Sequence, residues 1–468
     1  MGTMDNRVYH LRYTARVVLE ALTPVSVGTG NSAIDTDKSV ASDCNGLPMI
    51  PGTGLCGVLR SLVPSISLDT EDMFGNQEKG SSSGVGSRLV ITDALMVGEN
   101  GLVHDGLASI DWDRSFYRKY KTLPLRDHCR INENGTAYAK KHGKFDELVV
   151  YKGTRFVFEM EMMGNDKDTE SWKTILSILY SPEFRVGGGT RKGFGAFSVA
   201  DISTRVFDLT KKSELLSYLD KSSSLSSPFP ECNEDGFLFG KNNDFSTVSY
   251  VLELVPDDYF LFGSGHGDGD SDATYNTEDY IEWTKDSKTP KFRQEMVLIP
   301  ATSIKGAILH RTAYHYNRLH GIYADKGNKD LLTEENVAVK CLFGYAKTDE
   351  DGNEDGRRGV VLLNDVYVEN TGNRCSEKIF NHVSIDRFTG GAIPGALFSE
   401  KVVSTGKEPV RVELDIPRID YKRMDNSVIR AFEMALKDIA TGLLPLGGSV
   451  MKGHGCFTGT LTRDGEVL

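Results

Sequence analysis

The sequence predicts an α+β fold built as two tandem copies of one unit. Three observations predict it. Six short features recur in the same order in both halves of the 468 residues. A glycine-rich string closes each half: Gly187-Gly188-Gly189-Thr190-Arg191-Lys192-Gly193-Phe194-Gly195, then Gly447-Gly448-Ser449-Val450-Met451-Lys452-Gly453-His454-Gly455. Each string follows a helix-like stretch and feeds a strand-like one. The length also favours two or three domains over a single core.

The recurring features begin with Val27-Gly28-Thr29-Gly30 and Phe262-Gly263-Ser264-Gly265. Ile50-Pro51-Gly52-Thr53-Gly54-Leu55-Cys56-Gly57 answers to Ile299-Pro300-Ala301-Thr302-Ser303-Ile304-Lys305-Gly306, and Phe74-Gly75 to Phe343-Gly344. Arg88-Leu89-Val90-Ile91-Thr92-Asp93-Ala94 corresponds to Gly359-Val360-Val361-Leu362-Leu363-Asn364-Asp365-Val366. Ile131-Asn132-Glu133-Asn134-Gly135-Thr136-Ala137 stands against Ile385-Asp386-Arg387-Phe388-Thr389-Gly390-Gly391-Ala392, and the glycine strings come last. The offsets drift, so insertions fall between features; a shared order of six reads as duplication. The expected boundaries are residues 1–210 for the first domain, 211–245 for a linker and 246–468 for the second. The linker holds Ser222-Ser223-Ser224-Leu225-Ser226-Ser227-Pro228, a flexible composition.

Within the first unit, residues 15–22 are rich in Val and Leu and read as a strand. Thr53 or Gly54 opens a helix through Leu62. Residues 89–95 and 156–162 read as strands, 171–179 as a helix, and 196–200 as the last strand. In the second unit Thr302 or Ser303 caps a helix through Leu319, 428–441 form a helix and 456–461 the last strand. Strand, helix, strand, strand, helix, strand is the ferredoxin-like (RRM-like) order.

The net charge of −12 argues against a generic basic nucleic-acid coat but leaves room for a local basic groove. Acidic runs at 268–279 and 349–355 read as solvated loops. Apolar runs are too short to span a bilayer, and the first seven residues lead into polar sequence, so a cytoplasmic, non-membrane protein is expected. Seven scattered cysteines without a CxxC pair point to reduced thiols and no zinc site.

Glycine-rich strings that expose backbone N–H groups and carry a lysine suit an anionic backbone. Arg191, Lys192 and Lys452 are the expected phosphate contacts there, with His454 beside them. The turns at Pro51 and Pro300 stand at helix N-termini, where free N–H groups and a partial positive charge favour phosphate. Thr53 and Ser303 lie in those turns, and Arg60 and Lys305 add charge. The bland readings are a capped helix and a tight turn with positive φ. No Walker pattern is present, and no G-x-G-x-x-G follows a strand, so a mononucleotide enzyme is not favoured.

Asp35 and Asp37 lie in the polar loop Ile34-Asp35-Thr36-Asp37-Lys38-Ser39-Val40. Two such carboxylates can hold a divalent cation or act on a nearby hydroxyl, although a lone loop aspartate is usually just solvated. Asp286 stands 14 residues before Pro300, as Asp37 stands 14 before Pro51, but the intervening sequences do not otherwise match. Asp268-Gly269-Asp270-Ser271-Asp272 superficially resembles a calcium loop, with Ala273 where glycine belongs.

These motifs resemble the RAMP superfamily of CRISPR proteins, above all the Cas-seven-type backbone subunits of type III effector complexes. The likeness is carried by Leu47-Pro48-Met49-Ile50-Pro51-Gly52-Thr53-Gly54-Leu55-Cys56-Gly57-Val58-Leu59-Arg60, Phe74-Gly75, the 88–94 string, both glycine strings, and the 385–392 string followed by Leu397-Phe398 and Val402. Two such domains in one chain resemble the fused double-backbone subunits of type III-D variant complexes. The resemblance implies two tandem RAMP domains with thumb hairpins and insertions. It implies a guide RNA laid along a palm, and a thumb that displaces one target nucleotide at intervals.

Several members of that family cleave target RNA with a loop aspartate and a divalent ion. Asp37-Lys38-Ser39-Val40 fits the family's Asp-x-x-Val, with one residue fewer before Leu47. Arg387 and Phe388 fall in the family's thumb string, which marks them for RNA; the first thumb lacks the Asp-Arg pair. The implied cofactor is Mg2+ or another divalent cation, and the implied partners are a CRISPR guide RNA, target RNA and other effector subunits. Before Ile299-Pro300 a long acidic insertion replaces the family loop, and no valine stands three residues after Asp286, so the second copy is expected not to cut.

The resulting expectation is a metal-dependent endoribonuclease subunit that promotes 2′-hydroxyl attack on the adjacent phosphate. Geometry and charge would suffice, without a protein nucleophile. Base pairing with the guide would supply specificity. The alternative is a non-catalytic RNA-binding scaffold of the same kind of complex. A guide-processing nuclease is disfavoured by the lack of a convincing catalytic histidine in the first half.

Overall fold

The computed structural model describes residues 9–29, 36–63, 68–77, 84–129, 131, 143–230, 245–284, 289–323, 335–348, 354–370 and 375–468, and every structural statement concerns these. Two antiparallel sheets organise the chain. In the first, Leu11–Ala21 lies between Phe197–Asp208 and Arg155–Gly164, and the sheet continues through Ala94–Val97 to Met49–Ile50. In the second, Thr247–Pro256 lies between Phe457–Arg463 and Val410–Pro417, with Leu362–Leu363 outside the latter. Both read fourth, first, third, second, the ferredoxin-like order expected.

The first helix of each copy starts from backbone geometry, not from a cap of its own. Pro51 (φ −58°) and Pro300 (φ −68°) turn the chain into Gly52–Leu62 and Ala301–Leu319, one or two residues earlier than Thr53 and Thr302 suggest. No side chain of the turn itself caps either helix. Asp93 Oδ1 accepts from Gly52 N and Asp365 Oδ1 from Ala301 N, both at 2.7 Å. This explains a departure from expectation: the strand read over 89–95 breaks into Leu89–Ile91 and Ala94–Val97 so that Asp93 can turn to the helix.

Each sheet buries one face. Tyr13, Ala15, Val17 and Leu19 alternate inward at period two against Leu55, Leu59, Trp172 and Ile175. Tyr250, Leu252 and Leu254 do the same against Ile304, Ile308, Phe432 and Leu436. Among the described residues the two large cores lie one in each copy, with a small cluster of Val97, Val103, Val157 and Leu225 beside the first.

The joint between the copies is structured where it is described. Lys212–Leu219 is a helix, tied to the first sheet by a Phe207–Tyr218 ring contact and by Tyr218 Oη donating to Glu161 at 2.6 Å. Arg16 donates to the carbonyls of Ser224 and Ser227.

The acidic run at 268–279 is a solvated loop only in part: Asp268, Asp270 and Asp272 are exposed, whereas Glu278 and Asp279 are not. Its end enters a hairpin of Thr277–Trp283 and Pro290–Ile299 that reaches back over the first copy. There Phe292 sits 5.3 Å from the Tyr151 ring and 5.8 Å from Phe116. Ile281 N donates to Lys152 O and Trp283 Nε1 to Gly153 O, at 2.8 and 2.6 Å. Gly153 (φ 84°) has no room for a side chain, because a Cβ would collide with Ile281 O. Glu278 is buried and receives Arg126 from the first copy at 2.8 Å; Arg126 also reaches Asp365 at 3.1 Å. Burial alone would lower the Arg126 guanidinium, but Glu278 and Asp365 outweigh it and hold it raised. Of 349–355, only the start of the strand Glu354–Arg358 is described.

Candidate functional site

The two glycine strings have the same conformation. Gly187 and Gly447 have φ 93° and 95°, Gly193 and Gly453 105° and 95°, Gly195 and Gly455 73° and 76°. Two N–H groups of each string turn inward. Gly188 donates to Ser26 O and Gly448 to Leu261 O, both at 2.6 Å. Gly195 donates to Pro24 O and Gly455 to Tyr259 O, at 2.9 and 2.8 Å. A Cβ on Gly195 or Gly455 would strike the carbonyl of Val186 or Leu446. Gly187, Gly195, Gly447 and Gly455 are therefore demanded by backbone approach and positive φ, and the four bonded amides are not open to an anion.

The lysines of the strings also turn to the protein. Lys192 Nζ lies 3.8 Å from Glu147 and 4.3 Å from the Phe145 ring centre; Lys452 Nζ lies 3.0 Å from Glu400 and 4.4 Å from Phe398. Both lysine side chains remain about one-third exposed. His128 stacks on Phe145 at 4.8 Å and touches Glu147 at 2.8 Å; His382 stacks on Phe398 at 4.9 Å and meets Glu400 at 2.7 Å. The His128 ring lies close to the Glu147 carboxylate without an aligned hydrogen bond.

These residues belong to two hairpins at the same register. In Leu125–Cys129 with Lys144–Leu148, His128 pairs Phe145 and Arg126 pairs Glu147. In Ser376–Ile385 with Ala392–Ser404, His382 pairs Phe398 and Phe380 pairs Glu400. Each hairpin thus roots in its glycine string through a buried glutamate. Burial alone would push the Glu147 carboxyl up, but the His128 contact and the Lys192 and Lys38 ammoniums hold it down at about 2. Glu400, likewise opposed by burial, is held at about 2 by Ser449, Lys452 and His382.

Asp37 meets the root of the first hairpin. Its N–H donates to Asp146 Oδ1 at 2.9 Å, and Asp146 N–H donates to Asp37 Oδ2 at 3.1 Å. Leu148 N donates to Lys38 O at 3.1 Å, which locks the loop onto the hairpin. Asp37 is exposed, and Lys38 beside it reaches Glu147 at 3.4 Å. Among the described residues no group of three or more His, Cys, Asp or Glu could hold a metal. The Asp37–Asp146 pair is a smaller donor set, of the size that Mg2+ uses when waters and phosphates complete its shell.

The sequence matches the family model described as "RAMPs: RAMP superfamily" over residues 18–198 and 284–458, well over half of the chain. This chain belongs to the RAMP superfamily. No curated protein gives a significant match. As a RAMP protein it is a CRISPR-associated RNA-binding subunit with two RAMP regions. No helix among the described residues is long and apolar enough to cross a membrane.

The remaining expected site residues of this RAMP protein fall into three groups. Thr53 and Arg60 stand exposed on the first helix with Gly54 and Gly57, and Ser303 is exposed on the second. A Cβ at Gly54 or Gly57 would meet nothing within 4 Å, so that helix face is open. Arg387 and Phe388 cap the long second hairpin, where Phe388 is 99% exposed.

Three others bond to the protein itself. Lys305 donates to Arg191 O at 2.8 Å, and Arg191 Nε to Gly359 O at 2.6 Å, so both stitch the copies together. Burial, then Arg191 and Lys192, pushes the Lys305 ammonium down to about 8. His454 is buried, 3.2 Å from Glu400. Asp35, Asp286 and the 132–137 part of the first thumb string lie outside the described residues.

Sequence reasoning missed Glu147, Glu400, His128, His382 and Asp146. One signal was available: Phe145-Asp146-Glu147 and Phe398-Ser399-Glu400 share a Phe-x-Glu pattern.

Proposed function

We propose that this RAMP protein is a guide-RNA-binding backbone subunit of a type III CRISPR effector complex, acting in the cytoplasm, and that its first copy cleaves complementary target RNA. The two backbone domains meet within residues 211–245. The observation that carries the catalytic reading is the exposed Asp37 carboxylate, fixed at a hairpin root by reciprocal bonds with Asp146. The open helix face of Thr53, Gly54, Gly57 and Arg60 lets a nucleic-acid backbone approach closely, while the exposed Arg387–Phe388 tip supplies a wedge.

In the reaction the target's 2′-hydroxyl oxygen attacks its own phosphorus and the 5′-oxygen leaves. The products are a 2′,3′-cyclic phosphate and a 5′-hydroxyl. Asp37 accepts or orients the hydroxyl proton, and Lys38 offsets charge on the phosphate. Asp37 and Asp146 would hold a divalent cation such as Mg2+, which when bound supplies Lewis-acid stabilisation of that charge.

The test is the assembled complex carrying Asp37→Asn, with Mg2+ and an end-labelled complementary RNA. At least one cut should disappear while guide and target stay bound. Persistence of every cut removes Asp37 from catalysis and leaves the scaffold reading.

A further inference from the structure

The second copy contains the same hairpin-root arrangement, built around a residue other than Asp286. Asp272 N donates to Ser399 Oγ at 3.0 Å, and Ser399 N donates to Asp272 Oδ2 at 2.7 Å. This repeats the reciprocal Asp37–Asp146 pair, with Ser399 at the position of Asp146 between Phe398 and Glu400. Lys401 N donates to Ala273 O at 2.8 Å, as Leu148 N does to Lys38 O. Gly263 bridges Tyr275 as Gly28 bridges Val40. Asn276 N donates to Phe262 O and Ala41 N to Val27 O, at 2.8 and 2.7 Å. Asp37 stands nine residues after Gly28, and Asp272 nine after Gly263. Counting back from Pro300 misses it because the clasping hairpin is inserted between.

We propose that Asp272 is a second catalytic residue, cutting target RNA in the second copy as Asp37 does in the first. The proposal rests on the catalytic reading of Asp37. The neighbouring acids are not equivalent to it. Lys401 engages Asp268 and Asp270, whereas Asp272 is exposed and its carboxylate is aimed by Ser399 N and Oγ. The step is an isomerising transesterification: the 2′-oxygen bonds to phosphorus and the phosphorus–5′-oxygen bond breaks. The proton leaving the 2′-hydroxyl passes through the Asp272 carboxylate and ends on the 5′-oxygen, so no further reactant is consumed.

The second copy differs in one respect that bears on rate. Ala273 replaces Lys38, so the cation beside the carboxylate is missing and the second cut is the slower of the two.

The experiment compares wild type, Asp37→Asn, Asp272→Asn and the double variant in the assembled, guide-loaded complex. Cleavage ends on a labelled target are mapped, and guide content and target binding are measured alongside. Asparagine keeps an acceptor for Ser399 N; Asp272→Ser is a second, smaller replacement in case asparagine impairs assembly. The expected result is two cuts in wild type, each single variant slowing a different one by about 10² or more, the usual span of a lost acid–base group. A full set of Asp37-independent cuts in either assembled Asp272 variant, or a wild type with only the Asp37 cut, overturns the proposal and leaves Asp37 standing. If every cut survives Asp37→Asn while one vanishes in Asp272→Asn, Asp272 stands and Asp37 is removed.

Discussion

Replacing Glu147 with glutamine should loosen the first hairpin by a calculable amount. The carboxyl is fully buried, and its pKa falls from an ordinary 4.5 to about 2. That difference of about 2.5 units, at about 1.4 kcal/mol each, amounts to roughly 3 kcal/mol that an uncharged amide forfeits. Amide hydrogen exchange in Leu125–Cys129 and Lys144–Leu148 reads the local opening, which should become about 100-fold more frequent at pH 7. The pH dependence follows from the depressed value. The contribution is complete above pH 4.5 and fades as pH falls toward 2, so wild type and variant should converge on acidification, with roughly half the difference gone by pH 3. A difference below about 0.5 kcal/mol at pH 7, or one that does not shrink in acid, would refute the idea that charge pins the hairpin.

Three further outcomes are expected. Changing Lys192 and Lys452 together to methionine should leave the salt slope of RNA binding nearly unchanged, since both ammoniums are committed to buried glutamates; a slope lowered by about 2 would show that they touch phosphates instead. Gly455→Ala should destabilise the second domain by well over 1 kcal/mol through the Leu446 carbonyl collision and positive φ, measurable by thermal unfolding, whereas Gly453→Ala, at φ 95° but with no close neighbour, should cost less. Arg126→Ala strands Glu278 and Asp365 in the seam and should weaken the coupling of the domains by about 3–5 kcal/mol, visible as two separated unfolding transitions where wild type shows one.

The sheet order and the duplication were legible because the signals that encode them are local. Period-two burial in Tyr13–Leu19 and the prolines before each first helix act through nearest neighbours. The site was less legible because its partners are remote in sequence. Lys192 and its glutamate are 45 residues apart, and Lys452 and Glu400 are 52, so a lysine in a glycine string looks free until the hairpin is folded back onto it. The glycines misled for a related reason. A glycine that lets a backbone approach a phosphate and one that lets it approach another carbonyl are the same letter, and only the Ser26 and Leu261 contacts distinguish them. Counting back from Pro300 to Asp286 crosses an insertion between Tyr275 and Pro300, whereas Gly263 lies upstream of that insertion and keeps the register of the loop.

Arg126, planted between Glu278 and Asp365, makes the first copy's hairpin part of the second copy's framework. Two separate subunits can tilt against each other as they grip RNA; two copies clasped in this way keep a constant pitch. The interval between whatever each copy does to a bound strand is then a dimension of the polypeptide, set when the chain folds and indifferent to the sequence of the RNA.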